Sequence, residues 1–377
     1  MRVLVAPSSL RRSLSAPDAA AAIARGLRAG APSLEVSALP IADGGDDTSE
    51  VLRAALGGTR RAVSAHDALG RPWEAAFVLL PDGTAVADVS SASGWGPLRG
   101  APPDPLRAST FGTGEVIAGA LDAGATAVVV GVGGSTTVDG GAGLLQALGV
   151  RWLDAQGAPL PPGGAALARL ARVDTSGLDP RLAATKLVLA CDVDSPLLGD
   201  TGAARVFGPQ KGAGPAEIEV LEDALARFAD VLARDTGVDV RRLPRAGAAG
   251  GVSGGLHAVA GAALADGADI VLDLLRFDAH VASCDLVVTA EGRLDAQTLR
   301  GKGPLRVAAA AARHGKPVIV LVGTVDPAVP RDALAAFDAI FSLCRGPMTA
   351  EQAMTDAAPL LAATAAEIGR LVQRVSR

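Results

Sequence analysis

The sequence predicts an α/β protein with largely parallel sheets, and three observations carry that expectation. Short β-branched, apolar runs at 128–132, 187–190, 285–289 and 318–322 alternate with stretches whose apolar residues recur at helical spacing. Glycine-rich turns follow several of these runs, as they do where a strand hands over to a helix. The length of 377 residues suggests two domains, with one large domain as the alternative.

The elements follow in order. Val3–Ala6 reads as a strand. Ser15-Ala-Pro-Asp18 resembles a capping box with an early proline, opening a helix that places Ile23 and Leu27 on one face. Phe77–Leu80 and Thr84–Val89, separated by Pro81-Asp82-Gly83, read as a β-hairpin. Ile218, Leu221, Leu225, Phe228 and Leu232 mark a long amphipathic helix. The glycine-rich span 246–255 reads as a tight loop and helix start, because apolar residues resume at once. Residues 349–377 read as a terminal helix interrupted near Pro359.

Composition narrows the function. Lys+Arg number 35 and Asp+Glu 40, so the net charge of -5 argues against a general nucleic-acid or anionic-membrane binder. Cys191, Cys284 and Cys344 stand far apart, and His66, His257, His280 and His314 stand singly, so neither a disulfide framework nor a zinc site is expected. The N-terminus lacks the apolar stretch of a secretory signal, and no run approaches the ~20 apolar residues of a membrane span. A soluble, cytoplasmic protein is the expectation. Only four lysines occur against 31 arginines, so a lysine kept in a glycine-rich loop carries more information than an arginine.

Four segments carry candidate chemistry. Gly131-Val-Gly133-Gly134-Ser135-Thr136-Thr137-Val138-Asp139 and the glycines after it follow a buried strand and precede an apolar helix. Backbone N–H groups there suit a phosphate or carboxylate, although the spacing fits neither the dinucleotide fingerprint nor a P-loop; a close strand–helix packing turn is the alternative. Cys191-Asp192-Val-Asp194 puts two carboxylates at a strand end, where Asp192 suits base catalysis or Mg²⁺ and Asp194 suits an Asx turn before Pro196. In Phe207-Gly-Pro-Gln-Lys211, a rare lysine sits in a turn where it can neutralise a phosphoryl group. Glu291-Gly-Arg293-Leu-Asp295, continuing to Lys302-Gly303, alternates acid and base; it suits an anionic substrate and a metal-bound nucleotide, or is a solvated loop of ion pairs. Asp43-Gly-Gly-Asp46-Asp47 adds a carboxylate-rich turn, which also reads as an acidic helix start.

Taken together, these segments resemble the glycerate kinases of the glycerate 2-kinase type. The likeness runs co-linearly along essentially the whole chain through VGGSTTVDGGAGLLQALG, CDVDSPLLG, FGPQKGA, EGRLDAQTLRGKGP, ASTFGTGE and HDALGR. The resemblance implies ATP- and Mg²⁺-dependent phosphorylation of D-glycerate, usually to 2-phosphoglycerate. It implies two α/β domains, a Rossmann- or flavodoxin-like three-layer domain and an inserted mixed α/β domain, with the active site in a cleft between them. The expected bounds are 1–62 plus 283–377 for the first and 63–282 for the insertion. Combined with the chemistry above, it assigns Asp192 and Lys211 to catalysis and Asp43, Ser135 and Arg293 to substrate. Gly133, Gly134 and Lys302 fall to the nucleotide, and Asp139, Glu291 and Asp295 to the metal. The expected partners are glycerate or a related hydroxy acid and ATP, with a homo-oligomer left open.

The chain also departs from the family pattern. Where APDSFKGSLSA is usual it has Ala6-Pro-Ser8-Ser9-Leu10-Arg11-Arg12, so an aspartate is Ser8, a lysine Arg11 and a glycine Arg12. Asp46-Asp47 replaces Glu-Gly, Val138 an asparagine and Ala290 a glycine. Lysine and arginine are not interchangeable at an anion. A shifted substrate preference is therefore expected, and a catalytically weak paralogue that binds an organic acid or nucleotide as a sensor is the competing reading.

Overall fold

The computed structural model describes residues 1–10, 13–295, 303–330 and 332–375. The chain divides into two α/β units, one made of 1–43, 54–56 and 268–377, the other of 44–53 and 57–267. The chain passes to the second unit after Asp43, returns briefly at 54–56, and comes back to the first unit after Gly267.

The first unit holds a five-stranded parallel sheet in the order β13-β12-β11-β1-β2. Its strands are β1 (Arg2–Val5), β2 (Glu35–Ala38), β11 (Leu286–Leu294), β12 (Val318–Val325) and β13 (Ala339–Ser342). The central strands are buried on both faces, which is why they read as unbroken apolar runs: Val3 and Val5 on one side of β1, Leu4 on the other. The helix Ala16–Gly30 starts at Ser15, whose side chain accepts from Asp18 N, and lies against the helix Ala357–Val375. A Cβ at Gly26 or Gly30 would stand 2.1 Å from the carbonyl oxygen of Ala362 or Ala366, so only glycine permits this approach. The C-terminal segment breaks at Asp356, between a helix Ala350–Thr355 capped by Thr349 and the longer one; Pro359 sits in the second helix's first turn, where it breaks no bond.

The second unit holds a six-stranded mixed sheet in the order β10-β9-β6-β5-β4-β3. Its strands are β3 (Thr59–His66), β4 (Pro72–Leu79), β5 (Thr84–Asp88), β6 (Ala127–Gly131), β9 (Lys186–Cys191) and β10 (Ala263–Asp266). The last three run parallel to β5, and β3 and β4 complete an antiparallel edge. A two-stranded ribbon, β7 (Arg151–Leu153) with β8 (Arg172–Asp174), stands apart from that sheet. The helix Pro215–Thr236 buries Leu221, Leu225, Phe228 and Leu232, the stripe its sequence predicts. Each unit has its own hydrophobic core.

Candidate functional site

In the second unit the parallel strands end level with one another. Asp88 pairs with Gly131, Gly131 with Ala190, and Cys191 with Asp266. Asp88, the loop after Gly131, Asp192 and Asp266 therefore share the carboxyl edge of one sheet, the edge at which open α/β sheets bind ligands.

The loop after β6 is held from within. Asp139 is buried, and its carboxylate accepts from Thr110 N at 2.8 Å, Thr110 Oγ1 at 2.9 Å, Gly141 N at 3.0 Å and Gly143 N at 3.2 Å. Thr110 Oγ1 in turn accepts from Leu144 N at 2.9 Å. Burial raises the Asp139 carboxyl above its ordinary range, and these donors oppose the rise. These donors occupy the lone pairs of Asp139, which disfavours its assignment to a metal. The same bonds disfavour an anion at the following helix start, since Gly141 N and Gly143 N already donate to the protein's own carboxylate.

Gly133 and Gly134 have a packing reason to be glycine. A Cβ on Gly133 would meet Gly45 Cα at 2.5 Å, and one on Gly134 would meet Asp46 Oδ1 at 1.9 Å. The carboxylate of Asp46 packs against Gly134, and a carboxylate beside that backbone disfavours a phosphate there by like-charge repulsion. Val138 is fully buried in the unit's core and presents nothing to a ligand.

Lys211 is also buried, at 2% exposure. Its Nζ donates to Ser135 Oγ at 2.8 Å and to the Thr137 carbonyl at 2.7 Å. Burial pushes its pKa down to about 7, with the Asp139 charge acting the other way. The ammonium is thus fixed beneath the loop, which disfavours its reaching directly for a phosphoryl group. Ser135 bridges Gly94, and the next residue, Thr136, donates from its N to Ser93 O at 2.9 Å.

Asp192 is half-buried just past β9, with Asp194 exposed beside it. Arg245, in the left-handed region at φ 71°, lies 3.1 Å from Asp194 and 3.8 Å from Asp266. Asp88 escaped the sequence reading. It is buried, Ser49 N and Ser49 Oγ donate to Oδ2 at 3.2 and 2.6 Å, and Oδ1 has no partner. Burial pushes its carboxyl up to about 7, and the neighbouring Asp47 and Asp46 add to the rise. An aspartate closing an otherwise apolar strand was the available signal.

In the first unit the chain leaves β1 toward β2 and leaves β11 toward β12, on opposite sides. The order therefore switches between β1 and β11, the place where such sheets form a ligand crevice. Glu291 and Arg293 alternate along the extended end of β11, and Asp295 follows it. Glu291 and Asp295 are half-buried; Arg293 is exposed and donates to Asp326. Ser8 follows β1, and both its N and its Oγ donate to the Ala290 carbonyl at 3.1 Å. Asp43, half-buried, closes this unit's first segment. Lys302, Arg11 and Arg12 lie outside the described residues.

Among the described residues no helix is long and apolar enough to cross a membrane. The glycerate kinase family model matches residues 3–373. A curated relative named glycerate kinase, from Bacillus subtilis (strain 168), is 44% identical over 99% of this chain and 98% of its own. One named glycerate 2-kinase, from Escherichia coli (strain K12), is 42% identical over 95% of this chain and 94% of its own. A crystal structure described as "putative glycerate kinase 2" from Salmonella typhimurium LT2 superposes with a TM-score of 0.89 at 43% identity, covering 100% of this chain and 99% of that one. The chain belongs to the glycerate kinase family and is an enzyme of that kind.

Proposed function

We propose that this cytoplasmic enzyme transfers the γ-phosphoryl group of ATP to a hydroxyl of D-glycerate, giving 2-phosphoglycerate. The observation that carries the reading is the near-full-length identity, 44% and 42%, to relatives named for glycerate phosphorylation. Phosphoryl transfer needs positioning and charge stabilisation more than covalent chemistry, and the strand-end groups supply both. Asp192 accepts the proton of the attacking hydroxyl. Arg293 holds the substrate carboxylate through two parallel N–H bonds, exchanging its exposed contact with Asp326 for the ligand. Ser135 offers its hydroxyl to the transferring group, and Asp43 takes a substrate hydroxyl.

Mg²⁺ is commonly held by one or two carboxylates plus substrate phosphates. Glu291 and Asp295, oxygen donors at the end of β11, fit that demand; among the described residues no three His, Cys, Asp or Glu side chains group as a cage of their own. When bound there, the cation supplies neutralisation of the phosphate charge.

The altered segment after β1 and the internally satisfied loop after β6 favour the sensor reading as the alternative. Release of ADP, measured with ATP and Mg²⁺ across D-glycerate, L-glycerate and related hydroxy acids, decides between them. Phosphorus NMR of the product assigns the phosphorylated oxygen. Absence of ADP release with every hydroxy acid, alongside measurable ligand binding, would sink the kinase reading in favour of the sensor.

A further inference from the structure

A buried lysine normally finds a carboxylate, because an unpaired ammonium inside a protein is costly. Lys211 instead meets two neutral oxygens, Ser135 Oγ and the Thr137 carbonyl, and forms no ion pair among the described residues. The lysine is anchored by its surroundings: the turn Pro209–Lys211 is closed by Gly212, at φ 93°, against Pro103. Ser135 is itself 7% exposed and stands at the carboxyl edge of the sheet. While Nζ donates to Ser135 Oγ, the serine's own proton must point elsewhere, and no protein acceptor takes it among the described residues.

We propose that Lys211 is a positioning residue that sets the direction of the Ser135 hydroxyl. As an ammonium it fills one Oγ lone pair and turns the Ser135 O–H outward, as a donor to an anionic oxygen of the reactants. As a neutral amine it accepts that same proton, and Ser135 no longer donates to the ligand. The inference deepens the kinase reading and rests on it only for the identity of the anion.

The groups around Lys211 leave this switch to Nζ. Asp139 is the charged side chain acting on it, and that carboxylate is locked onto Thr110, Gly141 and Gly143. Glu217, on the helix that follows, accepts from Gly214 N at 2.7 Å. Asp104 and Arg107, on the segment that carries Pro103, are joined through Arg107 N at 3.2 Å from Asp104 Oδ1. The lowered Lys211 pKa, about 7, puts the change of state where an enzyme at neutral pH would meet it. The ammonium is the donating form, so ligand binding should weaken as pH rises through that value.

The chain's four lysines make the test direct. Protein carrying ¹⁵N-labelled lysine gives few side-chain signals, and Lys211→Met identifies the one from Lys211. That signal is followed across roughly pH 5.5–9.5, in wild type and in Ser135→Ala, with and without D-glycerate plus a non-hydrolysable ATP analogue. The expected result is a wild-type midpoint near neutrality that ligands raise by about half a unit or more, a threefold change in proton affinity. In Ser135→Ala, ligands should leave the midpoint where it was. Where turnover is measurable, kcat/KM should decline above the same midpoint, and the decline should vanish in Ser135→Ala. Lys211→Arg, a permanent donor, should keep ligand binding flat with pH. A ligand-induced rise that survives in Ser135→Ala, or no rise in wild type, overturns the inference. A rise without any ADP release would leave it standing while removing the kinase reading.

Discussion

The two units finish their parallel strands in opposite ways. At the end of the second unit's sheet a set of polar groups is buried and bonded together, Asp139 to Thr110 and two glycine amides, Lys211 to Ser135, Asp88 to Ser49, with half-buried Asp192 and Asp266 beside them. At the end of the first unit's sheet Glu291 and Asp295 are half-buried and Arg293 is exposed, meeting Asp326 at the surface. A surface ion pair is worth about 0–1 kcal/mol, whereas breaking a buried polar cluster leaves groups that have lost water as well as partners. On the first unit's side, the exposed Arg293–Asp326 pair can be exchanged for a ligand at little cost. The buried set cannot, and works as a fixed frame. The comparison therefore predicts that substitutions in the second unit change turnover or stability, and those in the first change mainly substrate affinity.

The largest effect should come from Asp192, which stands on the rigid edge yet is not enclosed by it. Asp192→Asn is expected to lower kcat by about 10²–10⁴, the usual contribution of a general base, with an unchanged melting temperature. Near-normal turnover would return Asp192 to its turn. Asp139→Ala should act on the frame instead: it leaves the Thr110, Gly141 and Gly143 donors without an acceptor. A stability loss of about 3–5 kcal/mol is expected, measured by urea unfolding. A loss below about 1 kcal/mol would mean that water replaces the carboxylate and that the loop is not locked.

Asp88 sharpens the comparison through pH. Its folded-state pKa is raised from 3.8 to about 7, so between these values the folded protein binds more protons than the unfolded chain. Stability from this group is complete below the lower value and is lost as pH rises through the higher one. Asp88→Asn removes the titration. Across that window the variant should therefore gain melting temperature relative to wild type as pH rises, read by calorimetry at its two ends. A constant difference would show that Asp88 stays ionised throughout.

Much of the fold was legible because parallel strands buried on both faces are apolar throughout: 187–190 and 318–322 lie within strands, and 128–132 and 285–289 overrun theirs by one residue. β3 was not: Thr59–His66 is mostly exposed on an antiparallel edge and carries two arginines, so no apolar run marks it. The site was legible as segments and obscure as roles. Lys211 stood out by rarity, but nothing local announces that residues 74 and 76 positions earlier will bury it. Asp139 looked like a ligand because glycines surround it, and its partner Thr110 lies 29 residues upstream. Asp88 belongs to no motif, and its environment is built by strands and a helix that only the fold assembles.

On the first unit's side the effects should be smaller and confined to affinity. Arg293→Ala removes the paired charge-assisted bonds to the carboxylate and should raise the KM for D-glycerate by about tenfold or more, with kcat kept within about threefold. A fall in kcat with constant KM would place Arg293 at the transferring phosphoryl group instead.

The smallest effect separates two departures that looked alike in sequence. Ser8 stands at the switch point between β1 and β11, while Val138 is enclosed in the second unit's core. Ser8 Oγ donates to the Ala290 carbonyl, which already accepts from Ser8 N, so the hydroxyl is turned inward and duplicates a backbone bond. Ser8→Ala should leave kcat/KM for D-glycerate within about twofold, because an intramolecular hydrogen bond of this kind is worth about 1 kcal/mol of stability and none of substrate contact. Ser8→Asp differs, since a carboxylate cannot donate to Ala290 O and must turn toward the crevice. There it meets a substrate hydroxyl and should raise kcat/KM by up to about tenfold, one bond to a charged group. Val138→Asn, by contrast, places an amide among apolar side chains and should cost about 1–3 kcal/mol of stability with no gain in kcat/KM. Measuring kcat/KM and urea midpoints for all three variants decides the matter. If Val138→Asn improves catalysis and Ser8→Asp does not, substrate is read from the second unit, and the contrast between a rigid frame and an exchangeable edge fails.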